Sequence, residues 1–192
     1  MRPHLRPVVL WCAMSLASPL AAAATIEGQA FDDAVRIANR ELRLNGLGLR
    51  AIFFVKVYAA GLYLGTKAET HKDVIAIPGP KRLQLRMLRR AGPDDFNSAL
   101  VDGIRNNASE AEMARLSERV AQLERTINAI GSTVPGDVID FDFVPELGTT
   151  LSVNGASKGM AIAGADFYNA VLGIFVGNNP VDARLKKGLL GQ

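Results

Sequence analysis

Residues 47–64 read Leu47-Gly48-Leu49-Arg50-Ala51-Ile52-Phe53-Phe54-Val55-Lys56-Val57-Tyr58-Ala59-Ala60-Gly61-Leu62-Tyr63-Leu64, and this stretch decides the fold. Its β-branched and aromatic content favours buried strands. Asn45-Gly46 just before it is turn chemistry, and Gly61 within it points to a bulge or a close backbone approach. The stretch therefore reads as two strands, or as one strand bent at the glycine.

Working outward, Asp73–Ile77 reads as a short strand ended by Pro78-Gly79-Pro80. Leu83, Leu85 and Met87 then alternate with Arg82, Gln84 and Arg86, the pattern of a strand with one dry and one wet face. The arginine row is read as the solvated face of the sheet rather than as a polyanion site. Pro93 and two aspartates open a helix with Phe96, Leu100 and Ile104 at i, i+4 and i+8. Ser109-Glu110-Ala111-Glu112 is a capping box, after which Met113, Leu116, Val120, Leu123, Ile127 and Ile130 mark one face of a helix up to Gly131. Ile139, Phe141 and Phe143 alternate with Asp140 and Asp142, so the two carboxylates share the wet face of a strand rather than forming a paired acid/base site. Asn154-Gly155 is a hairpin turn, and Phe167, Val171, Ile174 and Phe175 mark a last helix ended by Gly177. The order β, β, α, α, β, β, α predicts an α+β fold: a largely antiparallel sheet with helices gathered on one face.

The ends narrow the function. Arg2 and Arg6 precede an apolar run, Val8–Leu20, that closes on Ala21–Ala24, the pattern of a secretory signal cut before or after Ala24. The run is shorter than the ~20 residues a membrane span needs, Pro19 interrupts it, and no cysteine follows to accept a lipid. Residues 1–24 are thus expected to be removed, leaving residues 25–192 as one periplasmic or secreted domain without an integral membrane segment. Cys12 and His4 leave with the leader, so the mature chain has no cysteine and keeps His71 alone. Cysteine proteases, Ser-His-Asp hydrolases and His- or Cys-rich zinc sites are thereby disfavoured, no metal or cofactor is implied, and the fold must stand on its core. Removing Arg2 and Arg6 lowers the formal charge of +3 by two, which leaves no concentrated basic footprint for nucleic acid. His71, within Glu69-Thr70-His71-Lys72-Asp73, reads as an exposed loop residue.

Gly48-Leu49-Arg50 followed by Phe54–Leu64 resembles the N-terminal signature of chalcone isomerases and their bacterial and fatty-acid-binding relatives. The likeness continues in order through Ala91-Gly92-Pro93, Val134-Pro135-Gly136-Asp137, Val153-Asn154-Gly155, and Ala170–Gly177 with Pro180-Val181. It covers essentially the whole mature chain. The resemblance implies an open-faced β-sandwich of the chalcone isomerase type, in which helices cover one face of an antiparallel sheet and a ligand cleft lies between the layers. It also implies that Arg50 matches the arginine that stabilises an anion in the enzymes. The other positions depart: Tyr58 stands for a threonine, Phe96 for a tyrosine, Asp102 or Gly103 for an asparagine, and Ile174 for a hydroxyl-bearing residue.

These departures argue against flavanone formation, because several positioned donors are missing. In the fatty-acid-binding branch an arginine and a tyrosine clasp a carboxylate, and Arg50 with Tyr58 looks like that pair. Arg50, Tyr58, Phe96 and Ile174 are accordingly the candidate ligand-binding residues, and the expected partner is a small amphipathic or anionic ligand such as a fatty acid. Read without the resemblance, Arg50 could equally cap carbonyls in a loop or pair with a surface aspartate, and Tyr58 could be core packing. Two other functions stay open: an isomerase or lyase acting on an enone with Arg50 as its electrophile, and an envelope interaction module with a vestigial cleft.

Overall fold

The computed structural model describes residues 23–192. The leader read over residues 1–24 lies outside them except for Ala23 and Ala24. In chain order the elements are β1 (Ala23–Ile26), β2 (Gln29–Asp32), β3 (Ala34–Ile37), β4 (Arg40–Ile52), β5 (Val55–Leu64), α1 (His71–Ala76) and β6 (Lys81–Met87). They continue with α2 (Pro93–Arg105), α3 (Glu110–Ile130), β7 (Val138–Val144), β8 (Gly148–Val153), β9 (Ala156–Ile162), α4 (Ala165–Val176) and α5 (Ala183–Leu189). Strands β3 to β9 form one antiparallel seven-stranded sheet in sequence order, and β1 and β2 form a separate hairpin. Among the described residues no helix is long and apolar enough to cross a membrane.

Alternation along each strand sorts the sheet into two faces. Leu62, Leu83, Phe141 and Leu151 lie opposite one another across β5 to β8, and Ala60, Leu85 and Ile139 form the next row. All are buried against the helix layer, which supplies Leu100, Ile104, Leu116, Val120, Leu123, Ile127, Phe167 and Val171. Each large apolar side chain so buried contributes about 1.5–3 kcal/mol. The predicted helices form where their periodicity put them. Ser109 and Glu112 make the reciprocal capping box, Gly131 ends α3, and Gly177 ends α4.

Four local expectations are overturned. Asn45-Gly46 is not a turn but a β-bulge inside β4. Asn45 is buried and ties the strand to its surroundings, donating to Ala68 O at 2.9 Å and Leu189 O at 2.8 Å and accepting from Ala68 N–H at 2.8 Å. Any side chain at Gly46 or Gly48 would strike the α5 backbone, so these glycines let that helix lie directly on β4. The turn of the hairpin falls instead at Phe53-Phe54, between paired Ile52 and Val55. Residues Asp73–Ile77 belong mostly to helix α1 rather than to a strand. Thr70 caps it, accepting from Asp73 N–H at 3.2 Å and donating to Asp73 Oδ2 at 2.6 Å. His71 is consequently half-buried in the first turn of a helix, not exposed in a loop. Burial lowers its imidazole pKa, and the nearby Lys186 lowers it further.

The fourth correction concerns the polar face of β6 and β7, which is covered rather than solvated. The separate β1–β2 hairpin packs over it through Phe31, whose ring closes on Gly61, the close approach that this glycine signalled. Arg82 donates to both oxygens of Asp142 at 2.6 Å and lies 3.5 Å from Asp140. Gln84 donates to Asp140 at 2.8 Å, Arg86 donates to Gln84 at 3.2 Å, and the Arg86 guanidinium stacks 4.9 Å from the Phe31 ring centre. Desolvation raises the Asp140 pKa despite the opposing pull of Arg82 and Gln84. The arginines and carboxylates thus neutralise one another beneath an apolar lid, a structural network, because a buried charge must be paired.

Candidate functional site

An apolar cleft of about 160 Å³ lies between the sheet and the helices, and all four candidate residues line it. Arg50 of β4 and Tyr58 of β5 are cross-strand partners. Phe96 enters from the first turns of α2, Ile174 from α4, and Leu85 and Met87 of β6 complete the sheet side. Ile52 and Val57, on the two arms of the β4–β5 hairpin, line it as well. The elements explain the convergence: alternation sends Arg50, Tyr58, Leu85 and Met87 to the helix-facing side, and the α2 and α4 apolar stripes face them.

Arg50 is the one cation of this lining. It stands on a strand, not in a loop, but the aspartate-pairing reading is also realised. Its Nη1 donates to Asp182 Oδ2 at 3.3 Å and to Ala51 O at 3.1 Å. Asp182 caps α5, accepting from Arg184 N–H at 2.8 Å and Leu185 N–H at 3.2 Å. Burial pushes its carboxyl up, but the backbone N–H groups of Leu185, Arg184 and Ala51 and the Arg50 guanidinium outweigh that and hold it below the usual carboxylate range. The Tyr58 phenol is pushed far above its ordinary value, chiefly by burial, with Arg50 opposing and Asp182 adding to the rise. Tyr58 therefore stays neutral and can donate a hydrogen bond, while Arg50 supplies charge already half-committed to Asp182.

Gly103, rather than Asp102, packs against a cleft residue: Asp102 is exposed and paired with Arg105 at 2.7 Å, whereas a methyl at Gly103 would meet the Ile174 side chain at 2.6 Å. Lys56 points to solvent as its strand parity predicts, donating to Glu27 at 2.6 Å. Sequence reasoning missed Asp182 and Asp95, the carboxylates nearest the cleft. Asp182 was legible as a helix N-cap two residues after Pro180, and Asp95 as an acidic residue in the first turn of α2. Among the described residues no group of three or more His, Cys, Asp or Glu converges as a metal site.

The helix-covered antiparallel sheet and the apolar cleft with one arginine–tyrosine pair define an open-faced sandwich with a ligand-sized cavity. The sequence matches the chalcone isomerase-like family over residues 23–191. The chain belongs to that family. The crystal structure of a fatty-acid binding protein of Arabidopsis thaliana shares the fold, with a TM-score of 0.66 at 12% identity over 88% of this chain and 96% of the other. A comparison with curated proteins finds no match.

Proposed function

We propose that the chain is exported and that its cleft binds a small amphipathic ligand with an oxygen-bearing head group, such as a short fatty acid, without forming flavanones. The observation that carries this reading is the direct cross-strand opposition of Arg50 and Tyr58 at one wall of a cavity whose lining is apolar apart from them and Asp95. A neutral phenol donor beside a guanidinium suits a carboxylate or another oxygen acceptor, and the Phe96, Leu100 and Ile174 side chains suit a tail. A cavity of ~150 Å³ takes one benzene, so a chain of about six carbons fills this one. An enone isomerase would have to work with Arg50 and Tyr58 as its donors, because the helix side offers Asp95, Phe96, Ala99, Leu100, Ile174 and Phe175, none of which carries a hydroxyl, amide or cationic donor.

Calorimetry with hexanoate and hexanol tests the reading in wild type, Arg50→Met and Tyr58→Phe. Arg50→Met keeps bulk and deletes charge. It should weaken hexanoate binding more than Tyr58→Phe does, since a charge-assisted hydrogen bond contributes about 1.5–3 kcal/mol and a neutral one about 0.5–1.5. Hexanoate binding to folded Arg50→Met at wild-type strength would end the head-group reading. Equal wild-type affinity for acid and alcohol would point to an apolar cavity that ignores the head group.

A further inference from the structure

The tip of the β4–β5 hairpin is an exposed apolar cap on an otherwise well-packed chain. Phe53 and Phe54 are 95% and 100% exposed, and Ile52 and Val55 beside them are 49% and 48% exposed. Single apolar side chains on a surface need no explanation, but four in succession at one projecting point do. The backbone sharpens the anomaly. Phe53 has φ of 54°, in the first position of a two-residue loop where a II′ turn takes glycine. A bulky residue in the left-handed region is strained, and nothing within the fold packs against it to compensate.

Cations flank this tip. Lys56, which follows it directly, is paired with Glu27, but Arg89 lies alongside, its backbone N–H bonded to Val57 O at 3.2 Å. Arg89 and Arg90 are both exposed, and among the described residues neither has a carboxylate within ion-pair distance. The loop after α3 lies at the same end, where Gly136 N–H bonds Met87 O at 2.8 Å, and it adds the exposed Val134.

We propose that the Phe53-Phe54 tip inserts into the interface of an anionic lipid bilayer, with Arg89 and Arg90 at the head groups. Aromatic side chains that enter the acyl boundary beside a basic rim are the chemistry of a peripheral membrane contact. A second copy of the chain fits less well, since a two-residue tip offers far less than the ~800 Å² per partner of a stable protein interface. Ile52 and Val57 belong to both the tip's arms and the cleft lining, so docking holds the cleft beside the lipid surface. The inference rests on exposure, strain and charge at the tip, and it stands or falls apart from the identity of the ligand.

The test uses the full chain carrying Trp11→Phe, which removes its only tryptophan, together with Phe54→Trp, at a fully exposed position where folding is not at stake. Vesicles of phosphatidylcholine with phosphatidylglycerol should shift the emission to the blue, and lipids brominated in their acyl chains should quench it. Arg89→Gln with Arg90→Gln should weaken binding to these vesicles by about tenfold or more, and by much less with phosphatidylcholine alone. A control probe, Met160→Trp in place of Phe54→Trp, sits at a position 82% exposed on β9 and should stay solvent-like under the same conditions. Because the apolar residues 8–20 can themselves bring the chain to a vesicle, the local probe decides. Vesicle-bound Phe54→Trp protein whose emission remains unquenched by brominated lipid overturns the proposal. So does a blue shift that arises without lipid and grows with protein concentration, which would assign the tip to a second copy.

Discussion

Asp182 competes with any anionic ligand for Arg50, and Asp182→Asn isolates that competition. Asparagine caps helices about as well as aspartate, so α5 keeps its N-cap and the change removes one charge. The ion pair spans 3.3 Å, with the two side chains 21% and 15% exposed. After discounting for that exposure, losing the pair should destabilise the fold by about 1 kcal/mol, or about 2–4 °C in a domain of this size. The folded-state pKa of Asp182 lies below its unfolded value. Its contribution is therefore present above pH ~4, and the stability gap between wild type and variant should close as pH falls through that value into the depressed range.

Ligand binding should move the other way. A carboxylate on the same guanidinium would sit about 5 Å from Asp182, where two like charges repel by about 3 kcal/mol at an effective dielectric of 20, and by about 1–2 after screening. Asp182→Asn should then tighten hexanoate binding by roughly five- to thirtyfold and leave hexanol within about twofold. Titration calorimetry at neutral pH reads both. Equal changes for acid and alcohol, or no tightening of the acid, would refute the idea that Arg50 is held in reserve by an internal carboxylate.

Other expectations follow from local geometry. Phe53→Gly relieves a positive φ at a side chain with no packing to lose, so thermal or denaturant unfolding should show a gain of about 0.5–1 kcal/mol; a loss would mean that the phenylalanine packs. Gly103→Ala gains about 1 kcal/mol of helix propensity but drives a methyl into Ile174, at a cost of about 1–3, and should shrink the cleft. In an Ile174→Ala background, where the clash is gone, Gly103→Ala should cost little or nothing, and a coupling near zero in the double-mutant cycle would disprove the contact. Asp140 has a raised pKa in the fold, so its ionisation opposes folding as pH rises from ~4 through that raised value. The stability of Asp140→Asn relative to wild type should therefore increase over that range, and a pH-independent difference would contradict the burial that causes the shift.

How much was legible depended on whether neighbours in sequence or neighbours in space made the decision. Periodicity and capping are local, so α2, α3, α4, the Asn154-Gly155 turn and the alternation of β6 and β7 could all be read from residues a few positions apart. The four residues of the cleft wall were pointed to by the family resemblance rather than by periodicity, and the fold brings all four to one lining. What covers each face of the sheet could not be read locally. Arg82, Gln84, Asp140 and Asp142 have the pattern of a wet surface, and only the β1–β2 hairpin lying over the sheet takes them out of solvent, at sequence separations that no short window spans. Asn45-Gly46 has the chemistry of a turn, yet the small residue admits α5 and the amide pairs with backbone 23 and 144 positions away. Turn residues and tight-packing residues are the same types, glycine and asparagine, so composition cannot separate them. Which role each takes is settled by what lies above the strand, and that is a property of the tertiary structure.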